Sequence, residues 1–133
     1  MLISWTCALY YKGHRNSIST PMLFTSGRSA NINLAHSVYD FFTSHYEIES
    51  DVEVYHTNLS DDNAFGFTEV NGEEQFIQIH NTLNESDYIK TLLHELVHVV
   101  QNENGQFDCE KREEEAYSLE STLFEQYHEE KFA

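Results

Sequence analysis

The segment from Ser86 to Glu103 places the tightest constraint on how this chain can fold. Apolar residues recur in it every three or four positions, which is the spacing of one side of an α-helix. These residues are Ile89, Leu93, Leu96, Val97 and Val100. At about 100° per residue, His94, Glu95 and His98 fall together beside that apolar side. The segment therefore predicts a helix that packs on a core and presents two imidazoles and a carboxylate along one flank.

Short strands are predicted ahead of this helix. Alternating apolar and polar residues predict a strand at 51–57, and residues 64–70 and 74–80 predict a β-hairpin. Asn71-Gly72, between the two hairpin strands, is typical of a type I′ turn, in which both central residues have positive φ. Residues 1–11 are rich in aromatic and β-favouring types and predict a further strand.

The remaining segments complete a domain of strands followed by helices. Residues 12–29 contain glycine, proline and many hydroxyl residues and are predicted as loop. Helical spacing predicts one helix from about 29 to 44 and a last helix from about 109 to 130. We therefore predict a single α+β domain over residues 1–133, in which a small antiparallel or mixed sheet with a hairpin packs on the two C-terminal helices.

The acidic composition disfavours several classes of partner. The chain carries 23 acidic and 7 basic residues, for a formal net charge of −16. Such a surface repels phosphate, which disfavours both a nucleic-acid partner and an anionic membrane. No apolar stretch is long enough to span a membrane, and no basic stretch precedes the apolar N-terminus as in a signal peptide. Cys7 and Cys109 lie far apart, which favours two reduced thiols. We expect a cytoplasmic protein, of undefined oligomeric state.

The spacing of His94 and His98 is that of a metal site. Residues four apart share one face of a helix, so both imidazoles can reach a single ion. Glu95 then lies beside the metal, where its carboxylate can accept a proton from the water that the metal activates. A catalytic zinc site needs three protein ligands and one open position, so a third ligand must come from elsewhere in the chain.

The last helix offers that third ligand. Its inward arc contains Ala116, Leu119, Leu123, Phe124 and Tyr127. Glu113 falls inside this arc, whereas Glu114 and Glu115 fall outside it. A carboxylate on an apolar face is costly unless it is paired or metal-bound, which favours Glu113 as the ligand. Glu120 also faces inward and is the alternative, either as a ligand or as the hydrogen-bond partner of one. Cys109 offers a thiolate one turn before Glu113, although a semi-buried thiol is the simpler interpretation.

These residues resemble a known pattern. His94-Glu95-Leu96-Val97-His98, followed closely by Glu113-Glu114-Glu115-Ala116, resembles the HExxH…ExxA pattern of gluzincin metallopeptidases. With a hairpin just ahead, residues 64–127 are similar to the minimal zincin domains of SprT-like proteins and of small phage or bacterial metallopeptidases. The resemblance implies one Zn²⁺ per chain, held by His94, His98 and Glu113, with Glu95 as general base.

The resemblance also implies a peptide or protein substrate. In zincins an extended peptide pairs with an edge strand ahead of the motif helix, here Phe65–Val70 or Phe76–His80. In many gluzincins an aspartate four residues after the ligand glutamate orients a ligand histidine, and Tyr117 stands at that position. A phenol suits a similar task. Tyr117 and Tyr88 are also the candidates for stabilising an oxyanion.

Two other functions compete with a peptidase. One is a non-catalytic module that binds zinc for stability or for a partner, but a structural site does not need the base Glu95. The other is a small acidic interaction protein that mimics nucleic acid, but the acidic residues are spread along the chain. Histidine and carboxylate ligands accept several divalent metals, so zinc is one of several candidates. Six other histidines are predicted at the surface: His14, His36, His45, His56, His80 and His128.

Overall fold

The structure is a computed structural model that describes residues 21–132. The strand predicted at 1–11, with Cys7 and His14, lies outside the described residues, and the single domain predicted over 1–133 stays a prediction. The elements are β1 (Leu23–Gly27), α1 (Leu34–His45), β2 (Asp51–Thr57), β3 (Gly66–Asn71), β4 (Glu74–His80), α2 (Glu85–Glu103) and α3 (Cys109–Phe132). The predicted α+β class with a small mixed sheet is confirmed.

The four strands form one mixed sheet in the order β1-β2-β4-β3. β1 runs parallel to β2, because helix α1 carries the chain from β1 back to the start of β2. β4 also runs parallel to β2, on its other side. β3 pairs antiparallel with β4 and forms one edge of the sheet. The inward residues of the central strands are Val52, Val54, Ile77 and Ile79, and all four are fully buried. The helices therefore cover one face of the sheet.

Two local predictions are wrong in detail. Residues 23–27, predicted as loop, form β1, a short edge strand that pairs with β2 from Leu23 to Gly27. The hairpin is confirmed, but its turn is not type I′, because Asn71 pairs with Glu74 and belongs to the strand. Only Gly72 has a positive φ there, +64°, which suits the first central position of a type II′ turn.

Helix α2 is the centre of the domain. It contacts β3 and β4 on one side and α1 and α3 on the others. Its capping follows from local sequence, since the Asn84 side chain accepts a hydrogen bond from the backbone of Asp87, and Gly105 takes φ +71° just after the helix ends. Because α3 covers the flank that carries His94 and His98, this flank is as buried as the apolar side.

A buried polar network ties the end of α2 to the sheet. The Glu103 carboxylate accepts hydrogen bonds from the backbone N–H of Ser50 at 2.7 Å, from the Ser50 hydroxyl at 2.6 Å and from the backbone N–H of Glu49. Nearby, Asn102 donates to the side chain of Gln75 on β4, and Gln75 donates to the carbonyl of Val99. These bonds fix the rotation and height of α2 against the strands. Across residues 21–132, no helix combines the length and hydrophobicity of a membrane span.

Candidate metal centre

Helices α2 and α3 bring three potential ligands together. One ring nitrogen from each of His94 and His98 and one carboxylate oxygen of Glu113 lie within 4.8 Å of one another. Nε2 of His98 is 2.9 Å from Oε1 of Glu113, and Nε2 of His94 is 3.4 Å from Oε2. Ligand atoms around a tetrahedral zinc stand roughly 3.3 Å apart, as bond lengths near 2 Å require. The three ligand atoms therefore lie close enough together for one ion to contact all of them.

The far nitrogen of each histidine is held by a different side chain. Nδ1 of His94 lies 2.9 Å from Oε1 of Glu120, which is buried on α3. Nδ1 of His98 lies 2.7 Å from Oε1 of Gln101, one turn along α2. A carboxylate and an amide oxygen can only accept, so each Nδ1 carries a proton and donates it. In the neutral form of each ring, Nε2 is then the nitrogen with the lone pair, which is the form that a metal binds.

The same three atoms lack good hydrogen-bond partners within the protein. Nε2 of His94, Nε2 of His98 and Oε1 of Glu113 are buried, and none makes a hydrogen bond of good angle with a described residue. Buried polar atoms are rarely left in this state. Three such atoms facing one another fit a cation between them, and two imidazoles with one carboxylate are a donor set that zinc accepts.

In the metal-free site, nearby carboxylates favour a proton on His94, at the position where a metal would bind. Burial alone lowers the pKa of His94, but contacts with Glu113 and Glu120 outweigh burial and raise this pKa to about 9. Burial raises the pKa of Glu113, and the two histidines outweigh it and lower this pKa to about 2. The metal-free site is therefore a buried ion pair, and a divalent cation would take the place of its proton.

Glu95 lies fully buried where α2 meets the edge strand β3. Its Oε1 accepts a hydrogen bond of 2.7 Å from the hydroxyl of Thr68, an inward residue of β3. At Gly66 the two elements approach so closely that a Cβ would stand 2.9 Å from Thr91 and 3.2 Å from Cγ of Glu95. The glycine therefore permits the contact between the edge strand and the carboxylate.

The two tyrosines have different surroundings. The Tyr117 ring lies edge-on to the ring of His94, with centroids 4.6 Å apart, and it is 40% exposed. Burial and then the charges of Glu113, Glu120 and Glu95 raise the pKa of Tyr117, so its phenol stays protonated. The hydroxyl of Tyr88 is buried and lies 2.6 Å from Nε2 of His56. Tyr88 is therefore wrong as an oxyanion candidate.

The other candidate ligands on the last helix lie outside the group of three ligand atoms. Glu120 is a partner of His94 and not part of the three-residue ligand group. Glu114 and Glu115 are exposed, as the helical wheel predicts. Cys109 is exposed rather than semi-buried, and it is not in the ligand group either. Glu113, the residue favoured from the sequence, is the carboxylate that the structure places against both histidines.

The prediction that the other histidines lie at the surface is wrong for one of them and only partly right for two. His56 is 2% exposed, donates from Nδ1 to the carbonyl of Ser26, and has its pKa lowered by burial. His80 and His128 are half-buried, whereas His36 and His45 are exposed as predicted. The alternation of β2 places His56 on the same face as Val52 and Val54, so the strand pattern already contained the signal.

Two residues of the site were missed from the sequence. Gln101 holds His98, and Thr68 holds Glu95. Gln101 follows the second histidine by three residues, so helical spacing alone places it next to His98. Thr68 comes from a distant strand, and its contact depends on how the hairpin packs on α2.

The fold and the site define a metallopeptidase-like domain: a small mixed sheet, a buried helix with HExxH, and a second helix that supplies a carboxylate. A comparison with family models agrees, because residues 48–129 match Peptidase_M78, described as the IrrE N-terminal-like domain. The match covers more than half of the chain, and the chain belongs to this family. The predicted likeness to SprT-like proteins stays a prediction. No curated protein and no solved structure matches the chain.

Proposed function

We propose that this protein is a zinc-dependent peptidase whose metal is held by His94, His98 and Glu113. The observation that carries the proposal is a set of three buried ligand atoms that face one another without good hydrogen bonds. The buried carboxylate of Glu95 is on α2, the helix that carries the two histidines. Membership of a peptidase family supports the same reaction. A purely structural zinc site would need a fourth protein ligand and would not need Glu95.

Each side chain has a separate part in hydrolysis. A bound zinc would polarise the scissile carbonyl and lower the pKa of a water molecule. Glu95, oriented by Thr68, accepts a proton from the attacking water and later passes it to the leaving amine. Tyr117 keeps its phenolic proton and is partly exposed beside His94, so it suits donation to the developing oxyanion.

The edge strand indicates how a substrate would bind. Of the two strands considered, β4 is paired on both sides, whereas β3 is paired only with β4 among the described strands. β3 begins at Gly66, where an added Cβ would stand only 3.2 Å from Cγ of Glu95. A peptide or protein segment that extends β3 by backbone pairing would therefore run past the catalytic residues.

A broad mixture of peptides tests the reaction, because it samples many sequences at once and no single substrate has to be chosen. Peptides from a digested proteome are incubated with zinc-loaded wild type or with zinc-loaded Glu95→Gln, and new peptide ends are identified by mass spectrometry. Glu95→Gln is nearly isosteric and keeps an acceptor for Thr68, so it should retain zinc and lose cleavage by about 100-fold or more. Glu125→Gln, at an exposed position on α3 away from the proposed site, is the matched control and should cleave as wild type does.

Two results would contradict a peptidase. Equal cleavage by wild type and Glu95→Gln would remove the proposed base from the mechanism. Zinc-loaded wild type that produces no new ends in the peptide mixture would favour the non-catalytic zinc module instead.

A further inference from the structure

Gln101 is a buried amide that contacts both helices of the metal centre. It is fully buried on α2, and both the oxygen and the nitrogen of its side-chain amide have hydrogen-bond partners. Its Oε1 faces Nδ1 of His98 at 2.7 Å. Its Nε2 donates to the backbone carbonyl of Arg112 at 3.1 Å and to Oε1 of Glu115 at 2.9 Å.

These partners leave the amide a single orientation. A carbonyl and a carboxylate accept but do not donate, so the NH₂ group of Gln101 must face Arg112 and Glu115. The oxygen must then face His98, whose Nδ1 must donate. Contacts on α3 therefore decide which ring nitrogen of a residue on α2 carries the proton, and they do so before any metal binds.

The same amide ties two ligands to each other. Arg112 immediately precedes Glu113, and its carbonyl is bound by the side chain that also orients His98. A shift of α3 along α2 would break this bond as it displaced Glu113. His94 is held differently, because its partner Glu120 is on α3 but makes no such bond to the backbone beside Glu113 among the described contacts.

We propose that Gln101 is a positioning residue of the metal centre, which fixes the tautomer of His98 and locks the spacing of His98 and Glu113. The inference rests on the proposed function, since it assumes that these residues bind zinc. Glu115 supports this arrangement from outside: its side chain accepts a hydrogen bond from the amide of Gln101, and it is not one of the three residues of the ligand group.

The test measures zinc affinity, so it needs no substrate. Zinc dissociation constants are obtained at one pH by competition with a chromophoric chelator. Gln101→Met keeps the volume and removes every hydrogen bond, and we expect its zinc affinity to fall by 10–100-fold, as for other partners of ligand histidines. Glu115→Ala should lower the zinc affinity by less than Gln101→Met does, and Glu115→Gln, which keeps an acceptor, should restore the wild-type value. Glu114→Ala removes a neighbouring exposed charge and should change nothing.

A merely structural role gives a different result. In that case Gln101→Met would lower the stability of the metal-free protein to urea and leave the zinc affinity of the folded protein unchanged. Visible spectra of the cobalt-loaded proteins provide a second readout, because a reoriented His98 alters the ligand field.

The outcomes separate the inference from the proposed function. A folded Gln101→Met that binds zinc within about twofold of wild type would overturn the inference alone, given the 10–100-fold expectation. If this variant does not fold, Glu115→Ala decides, and an affinity equal to that of Glu114→Ala would overturn the inference. Wild type that binds no zinc would overturn the proposed function.

Discussion

Zinc binding should compete with a proton on His94. In the metal-free protein, burial disfavours the charged ring, but Glu113 and Glu120 outweigh it and raise the pKa of His94 to about 9. Zinc binds the neutral imidazole, so at pH 7 this proton must leave. Removing it two pH units below the pKa costs roughly 3 kcal/mol, at 1.36 kcal/mol per unit. The apparent zinc affinity should therefore rise about tenfold from pH 7 to pH 8 because of His94.

Chelator competition at several pH values measures this slope, and calorimetry in two buffers of different ionisation enthalpy counts the released protons. We expect about one proton from His94 per zinc near pH 7.5. Glu120→Gln is the control, because it keeps an acceptor for His94 but removes the carboxylate whose hydrogen bond, after that of Glu113, raises the pKa of His94. Its slope should be shallower. A zinc affinity that does not change between pH 7 and pH 8 in wild type would refute the ion-pair description of the metal-free site.

The same pKa fixes the sign of a stability change. An unfolded histidine has a pKa near 6.5, and the folded value of about 9 is higher. The pairing therefore stabilises the metal-free fold fully below about pH 6.5 and is lost as the pH rises through 9. The low pKa of Glu113 reflects the same ion pair, seen from the carboxylate. The stability that this ion pair contributes is therefore also lost as the pH falls toward 2 and Glu113 becomes protonated. Urea unfolding of zinc-free protein should show the loss at high pH, and zinc-loaded protein should not.

Two substitutions test how the helix and the edge strand are held. Glu103→Ala leaves the buried N–H and hydroxyl of Ser50 without their acceptor and should lower the free energy of unfolding by about 3 kcal/mol. Glu125→Ala, at an exposed position, should lower the free energy of unfolding by less than about 0.5 kcal/mol. Urea titration measures both variants, and similar values for the two would show that the Glu103 network does not stabilise the fold. Gly66→Ala places a Cβ 2.9 Å from Thr91 and should cost about 1–3 kcal/mol, with cleavage reduced and zinc retained, because Glu95 must shift. At Gly72 an added Cβ meets nothing, but its φ of +64° strains any other residue, so Gly72→Ala should lose some stability and keep full cleavage. Unchanged cleavage in both variants would contradict the close packing of β3 on α2.

Local periodicity accounts for what the sequence predicts well. The helical spacing of α2 and α3 is a property of neighbouring residues, so both helices are predicted within one or two residues. The wheel of α3 also separates Glu113 from its two acidic neighbours, because only one of the three faces the apolar arc. The structure accordingly brings Glu113 to the two histidines of α2.

The features that could not be predicted from the sequence depend on contacts between distant segments. β1 is a five-residue strand with hydroxyl residues at its centre, and it exists because β2, almost thirty residues on, pairs with it. Thr68 meets Glu95 only after the hairpin has packed on α2, since the two are 27 residues apart. The turn at Gly72 depends on the pairing of Asn71 with Glu74, and the Asn-Gly pattern alone predicts a different turn type.

The most direct test of the metal site is the zinc content of purified wild type, Glu113→Ala and Glu114→Ala by elemental analysis. The two substitutions remove adjacent carboxylates on α3, one against the histidines and one exposed. We expect about one zinc per chain in wild type and in Glu114→Ala, and little or none in Glu113→Ala, because two histidines alone bind zinc weakly. Wild type without zinc after incubation with the metal at neutral pH, or full zinc in Glu113→Ala, would contradict the proposed site.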